Sequence, residues 1–270
     1  MINKSDFADE WFNDQDLDFY VQNIDYLENG LIQKWIKIKE NDQNITVGEY
    51  VTLSFHSMDD AKNRTIISNQ LVEILTQLCK DVYLNKVLVV GLGNEEMVSD
   101  SIGPKTIHQI LVSAHLFELN ENIHPGINNC AAIAPKVMGQ TGLESAKIVK
   151  AIADIYKPNI VLVVDALSSD SMTRINKAIQ ISNIGIIPGS GVGNHRLAIN
   201  EETMHVPVIS IGVATVITIN SILKELKVDL EYNNSNCIIT PRSMDIDCKH
   251  IISILSNAIN CFIHPGYEEL

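Results

Sequence analysis

The sequence predicts an α/β fold, a largely parallel sheet covered by helices, from three observations. Residues 87–90 (VLVV) and 160–164 (IVLVV) are short, wholly apolar runs, as expected of strands buried on both faces. Such runs alternate with segments of helical spacing, the pattern of strand–helix–strand units. The 270 residues are 46% hydrophobic and 20% charged, enough to build one large core and too apolar for a disordered chain.

Taken in order, residues 1–48 are expected to be an acidic N-terminal arm or accessory region, and 49–270 a single α/β domain. Within the first of these, residues 1–30 are acidic with interspersed aromatic residues and suit either an arm or an edge element. Strand-like runs follow at 31–38 and 50–55. Ile67, Leu71, Ile74, Leu75 and Leu78 then recur at helical spacing within 60–80. Beyond the strand at 87–90, Pro104 suits the first turn of a helix starting near Gly103. A strand is expected at 129–134. Thr141 and Glu144 fit a capping box, opening a helix that stops before Pro158. After the strand at 160–164 come strand candidates at 178–182 and 206–212, then helices at about 215–227 and 244–262.

Composition excludes several classes of function. With 33 acidic against 20 basic side chains, the net charge of −13 lacks the footprint of nonspecific nucleic-acid binding. The longest apolar stretch, 206–219, is broken by Pro207, Ser210, Thr215 and Thr218 and falls short of a membrane span. The N-terminus has no apolar core of a signal peptide. Five dispersed cysteines without CxxC spacing read as reduced thiols, and the implied compartment is the cytoplasm.

Two strand ends deliver an aspartate where functional groups of parallel sheets gather. A strand runs into Gly91, Gly93 and Asn94 and then reaches Asp100, and Asp165 follows the run at 160–164. Two neighbouring carboxylates cannot easily both ionise, so one keeps a proton while the other acts as a base. Such a pair can activate water and protonate a leaving amine. Each aspartate alone equally suits a cap for the following helix. The turn after Val90 places Glu96 where the third glycine of a dinucleotide fingerprint belongs, which argues against nucleotide binding. A second loop contains Gly189, Ser190, Gly191, Asn194 and His195; its glycines suit close backbone approach to a peptide or an oxyanion, or simply a tight turn. His108 and His115 are spaced for one helix face, and no histidine spacing marks a metal site. No metal or cofactor is expected.

Together these segments resemble the spore germination protease family, endopeptidases that degrade small acid-soluble spore proteins. The resemblance rests on VGLGNEEMVSDSIGP, LVSAHLFEL, AIAPKVMGQTGLESAKIV, KPNIVLVVDALS, RINKAIQISNIGIIPGSGVGN, VPVISIGVATV and IITPRSMDID, spanning roughly residues 49–264. It implies a phosphorylase/hydrolase-like α/β domain and an atypical aspartic-type mechanism. It further implies a catalytic pair at Asp100 and Asp165, with Asn94, Gly189, Ser190, Gly191 and Asn194 positioning the pair or the peptide. Small acid-soluble spore proteins as substrates, a tetrameric assembly, a zymogen stage and a place in the spore core also follow from the resemblance. The GLGN…D…G signature is similar in addition to that of hydrogenase-maturation endopeptidases, related in topology and metal-directed. The chain departs from the spore family at Ala114, Asp170, Ala214 and Thr218, and in a shortened stretch between 226 and 237. It reads as a shortened member, for which a non-catalytic peptide-binding role is the further alternative.

Overall fold

The structure is a computed structural model that describes residues 5–11, 20–39, 46–189, 197–230 and 237–267. Its strands are β1 (Tyr20–Tyr26), β2 (Ile32–Ile38), β3 (Gly48–Ser54), β4 (Lys86–Gly91), β5 (Asn129–Ile133), β6 (Ile160–Ser168), β7 (Ala178–Ser182), β8 (Val208–Thr218) and β9 (Ile238–Ile239). Its helices are α1 (Ala61–Leu78), α2 (Ile102–Ile107), α3 (Ala114–Glu118), α4 (Met138–Thr141), α5 (Ser145–Tyr156), α6 (Glu201–Met204), α7 (Ile219–Glu225) and α8 (Met244–Ile263).

The apolar runs at 87–90 and 160–164 become β4 and β6, paired in parallel at the centre of one sheet. β5 flanks β4 and β8 flanks β6, also in parallel. Because parallel neighbours need crossover connections, helices cover both faces of this half. On one face α1, α2 and α8 bury Ile67, Leu71, Ile102, Ile251, Leu255 and Ile259 against Val87, Val89, Leu162 and Val164. On the other, α5 sets Ala146, Val149 and Ala153 against Leu88, Val90, Val161 and Val163. Alternate residues of one strand thus serve two cores, which is why these runs carry no polar residue.

The sheet continues past β8 as an antiparallel wing in the order β8-β7-β3-β2-β1, and β9 pairs with the far end of β8. β1 and β2 are joined by a tight turn in which Asn29 and Gly30 both take positive φ, 62° and 75°. Such consecutive left-handed residues match the twist of a hairpin, and Asn-Gly adopts them most readily.

Most expected elements form, with four differences. Thr141 ends α4 instead of capping the next helix: Gly142 turns left-handed at φ 72°, and Glu144 occupies the N-cap of α5 without a side-chain cap bond. Glu144 instead accepts from the Leu197 N–H at 2.6 Å and pairs with Lys147 at 3.2 Å. β8 runs on to Thr218, so α7 starts only at Ile219, because residues 213–216 find a strand partner in β6. Asp165 lies inside β6, which continues to Ser168 for the same reason. His108 caps α2 while His115 belongs to α3, so they share no helix face. No helix among the described residues is long and apolar enough to cross a membrane.

The close seat of α2 on the sheet depends on two glycines. A Cβ on Gly103 would sit 2.2 Å from the Leu92 carbonyl oxygen and 2.6 Å from that of Val164. One on Gly91 would sit 2.2 Å from the Gly103 carbonyl oxygen. Backbone therefore meets backbone where α2 leaves the β4 turn. Gly103→Ala is expected to cost roughly 1–3 kcal/mol through overpacking, read from denaturant unfolding of variant and wild type.

Candidate active site

β6 is buried on both faces up to Val164, and its next residue is a carboxylic acid. Asp165 stands opposite Gly212 of β8 and is only 9% exposed. Its Oδ1 accepts from the Ala166 N–H at 2.9 Å. Asp100 arrives from the neighbouring strand: β4 ends at Gly91, the chain turns through Gly93, and a 3-10 turn over Val98–Asp100 brings it back. Gly93 has φ 118°, and a Cβ there would lie 2.1 Å from the Asp100 carbonyl oxygen. The loop is tied to β6 by the Leu92 N–H donating to the Val164 carbonyl at 2.8 Å.

The Asn94 N–H donates to Asp100 Oδ2 at 2.8 Å. The Asn94 side chain points elsewhere, its Oδ1 accepting from Gln140 of α4 at 2.9 Å and from the Glu96 N–H at 3.1 Å. Asn94 thus acts on Asp100 through its backbone while its side chain holds the loop. Gly189 takes φ 65° where the second glycine loop begins. Ser190, Gly191, Asn194 and His195 lie outside the described residues. Among the described residues, no group of three His, Cys, Asp or Glu side chains is placed to hold a metal ion.

Burial makes the two carboxyls unequal. Removal from water, reinforced by the negative charge of Asp100, pushes the Asp165 carboxyl up to about 8. Burial also raises Asp100, but the Asn94 N–H stabilises its ionised form and works against the rise. Near neutral pH the pair therefore holds one proton on Asp165, and Asp100 is the member left to ionise. This is the asymmetry that separates an acid from a base in one site.

A further part of the candidate site comes from residues 5–11, which sequence reasoning left as either an arm or an edge element. Asp6 pairs with the end of β6: its N–H donates to the Ser168 carbonyl at 3.1 Å, and its Oδ2 accepts from the Ser168 N–H at 2.9 Å. Phe7 is fully buried among Leu167, Ile175, Ala178, Ala214 and Ile217. Asp9 receives a bidentate grip from Arg174 at 2.7 and 2.5 Å, with Lys34 at 3.5 Å. Burial alone would raise the Asp9 carboxyl; the two cations outweigh it and hold Asp9 below its usual range. Glu10 accepts from Ser169 Oγ at 2.6 Å and the Asp170 N–H at 2.7 Å. Asp170 in turn accepts from Ser221 Oγ at 2.6 Å, so this departure from the family pattern is built into the strap beside the site. Phe7, Ala8 and Trp11 are the apolar residues of this stretch, too few to signal docking by periodicity.

Comparison with known proteins places the chain alongside one group. A family model described as germination protease matches residues 10–232. The germination protease of Clostridium tetani is 37% identical over 266 aligned residues, covering 85% of this chain and 82% of that protein. That of Caldanaerobacter subterraneus is 35% identical over 263, covering 83% and 80%, and that of Bacillus subtilis 35% over 220, covering 76% and 60%. Among solved structures, the [NiFe] hydrogenase maturation protease HycI of Thermococcus kodakarensis matches with a TM-score of 0.37 and 14% identity, covering 69% of this chain and 98% of that one.

Two outcomes test this arrangement. Because the folded Asp165 carboxyl titrates far above an unfolded aspartate, the native state holds a proton that the unfolded chain has released. Stability falls as pH rises from about 4 to about 8 and levels off above. Asp165→Asn removes that loss: its Tm is expected to exceed that of wild type at pH 9 and to converge with it near pH 4, with a difference on the order of 3 kcal/mol at the alkaline end. A wild-type advantage at pH 9 would refute the assignment. Separately, Arg174→Met leaves buried Asp9 with the Thr52 hydroxyl and the more distant Lys34 and is expected to cost about 3 kcal/mol. Adding Asp9→Asn should restore part of this in an unfolding double-mutant cycle.

Proposed function

Because the chain belongs to the germination protease family, we propose that it is an endopeptidase that cuts small acid-soluble spore proteins with an aspartate pair, Asp100 and Asp165. The observation that carries this reading is the inequality of the two carboxyls, one buried beside the charge of the other. Asp100, held by the Asn94 N–H, takes a proton from water as its oxygen attacks the scissile carbonyl carbon. Asp165 gives its proton to the amide nitrogen as the C–N bond breaks. The pair ends with its one proton on Asp100, and exchange with solvent returns it to Asp165. The glycine loop that begins at Gly189, with Ser190, Gly191 and Asn194, positions the substrate backbone.

The proposal extends to the setting of the enzyme: a homotetramer in the spore core, acting in germination and synthesised as a zymogen. The docking of residues 5–11 on the end of β6, next to Asp165, supports control of the site by the N-terminal region.

Cleavage of a purified small acid-soluble spore protein, followed by mass spectrometry, tests the mechanism. Wild type is expected to cut at defined internal bonds in the presence of a chelator. Asp100→Asn and Asp165→Asn should each lose about 1,000-fold or more, the scale of a general acid or base. Unaltered cleavage by either variant, or loss on chelation, would overturn the aspartate mechanism.

A further inference from the structure

Five neighbouring strands each place one residue in a row that ends at Asp165. Asp165 of β6 stands opposite Gly212 of β8, Gly212 opposite Gln180 of β7, Gln180 opposite Thr52 of β3, and Thr52 opposite Lys34 of β2. Residues directly opposite on paired strands point to one face, so the row crosses the strands on the side that carries the Asp165 carboxyl. Gln180 and Thr52 are buried polar groups within it, 7% and 3% exposed.

Residues 6–9 lie along that row and meet those groups. Gln180 Nε2 donates to the Asp6 carbonyl at 2.9 Å, and Gln180 Oε1 accepts from the Ala8 N–H at 2.7 Å. One side-chain amide thus takes the carbonyl before Phe7 and the N–H after it, as the peptide group of a neighbouring strand would. At the β6 end the Asp6 N–H donates to the Ser168 carbonyl at 3.1 Å. At the far end Thr52 Oγ1 donates to Asp9 at 3.3 Å, with Lys34 at 3.5 Å. Phe7 enters an apolar pocket of Leu167, Ile175, Ala178, Ala214 and Ile217, and the Arg174 guanidinium lies 5.7 Å from its ring centroid.

This pocket adjoins the aspartate pair. Leu167 follows Asp165 by two residues on the same face of β6, roughly 7 Å along the strand. Besides burial and Asp100, the charge of Asp6 raises the Asp165 carboxyl, so the segment begins beside the pair. The contacts to Gln180 and Ser168 are made by the main chain and do not depend on the side chains of residues 6 and 8. An endopeptidase has to hold the main chain that all polypeptides share and select among them by side chain. Backbone hydrogen bonds beside one shaped pocket supply both.

We propose that this row is the track that holds the polypeptide to be cut, with Gln180 and Ser168 binding its main chain and the Phe7 pocket seating a large apolar side chain, residues 6–8 being the occupant supplied by the chain itself. The role in substrate binding rests on the endopeptidase reading above.

The test uses the full chain and a blocked, dye-labelled peptide with the sequence of residues 5–11, followed by fluorescence anisotropy. Two variants loosen the resident segment: Phe7→Ala empties the pocket, and Asp9→Asn weakens the hold of Arg174 and Lys34 while leaving the pocket filled. An occupied site binds only in the fraction of molecules that open it, so each variant is expected to bind the peptide about tenfold more tightly than wild type. Methylating the alanine nitrogen of the peptide removes the N–H that Gln180 accepts and should weaken binding about tenfold, as should alanine in place of its phenylalanine. Gln180→Leu, added to either variant, should make binding indifferent to the methyl group, a selectivity that misfolding cannot imitate. Equal binding by wild type and both variants, or indifference to both changes in the peptide, would overturn the track. In Phe7→Ala the unlabelled peptide is expected to raise KM for a small acid-soluble spore protein and to leave kcat unchanged. Tight peptide binding without any effect on cleavage would overturn the substrate role and leave the endopeptidase reading in place. Tight binding by a chain that cuts no spore protein in any form would remove the endopeptidase reading, and the substrate role with it.

Discussion

Burying one carboxyl within reach of another's charge at the end of a parallel sheet is the constraint on which the rest of this structure depends. Left free, either group would turn to water and titrate as an ordinary aspartate. Asp165 cannot turn, because it continues a strand whose preceding residues serve the cores on both faces. Asp100 is held by a turn that closes on itself at Gly93 and is tied to β6 through Leu92 and Val164. The seat of α2, backbone against backbone at Gly91 and Gly103, brings that turn close enough for the charges to interact. Stability given up to keep a buried carboxyl is recovered from the apolar surface that the same strands and helices bury.

The central half of this fold was legible because its physics is local. A strand buried on both faces must be apolar throughout, and residues 87–90 and 160–164 are. The same holds for α1, whose buried Ile67, Leu71, Ile74 and Leu75 recur at helical spacing, with Asp60 capping it through the Asn63 N–H. The antiparallel wing was less visible. β1 reads YVQNIDY, whose polar Gln22, Asn23 and Asp25 break the alternation expected of a half-buried strand, and only Asn29-Gly30 signals its turn. The length of β8 depends on its partners β6 and β7, so the apolar residues beyond Gly212 fit helix and strand equally until pairing decides. Thr141 shows the limit of motif reading: the capping-box spacing is present, but Gly142 turns the chain before the box can close.

The site divides in the same way. Asp100, Asp165 and Asn94 could be singled out as candidates because strand ends concentrate function and each sits beside one. What sequence could not supply was their inequality: each carboxyl accepts one backbone N–H, and it is the deeper burial of Asp165, beside the charge of Asp100, that sets it higher. Residues 5–11 were hidden for a different reason. Their hold is a set of long-range polar contacts, Asp6 with Ser168, Ala8 with Gln180, Asp9 with Arg174 and Glu10 with Asp170, around the one buried ring of Phe7. Such contacts leave no periodicity in the segment that makes them.

The first turns of α8 join these features into one device. Asp245 and Asp247 suit the positive end of the helix, and Asp247 is then committed to Ser243 and Asn176. One position on, Cys248 is buried against Ser101 and the turn that carries Asp100. The remaining length of α8 packs its apolar face on the sheet and on α1, so its start cannot shift without disturbing that core. The polar contacts of Asp247 and the placement of Asp100 therefore share one mechanical support, the packed helix α8.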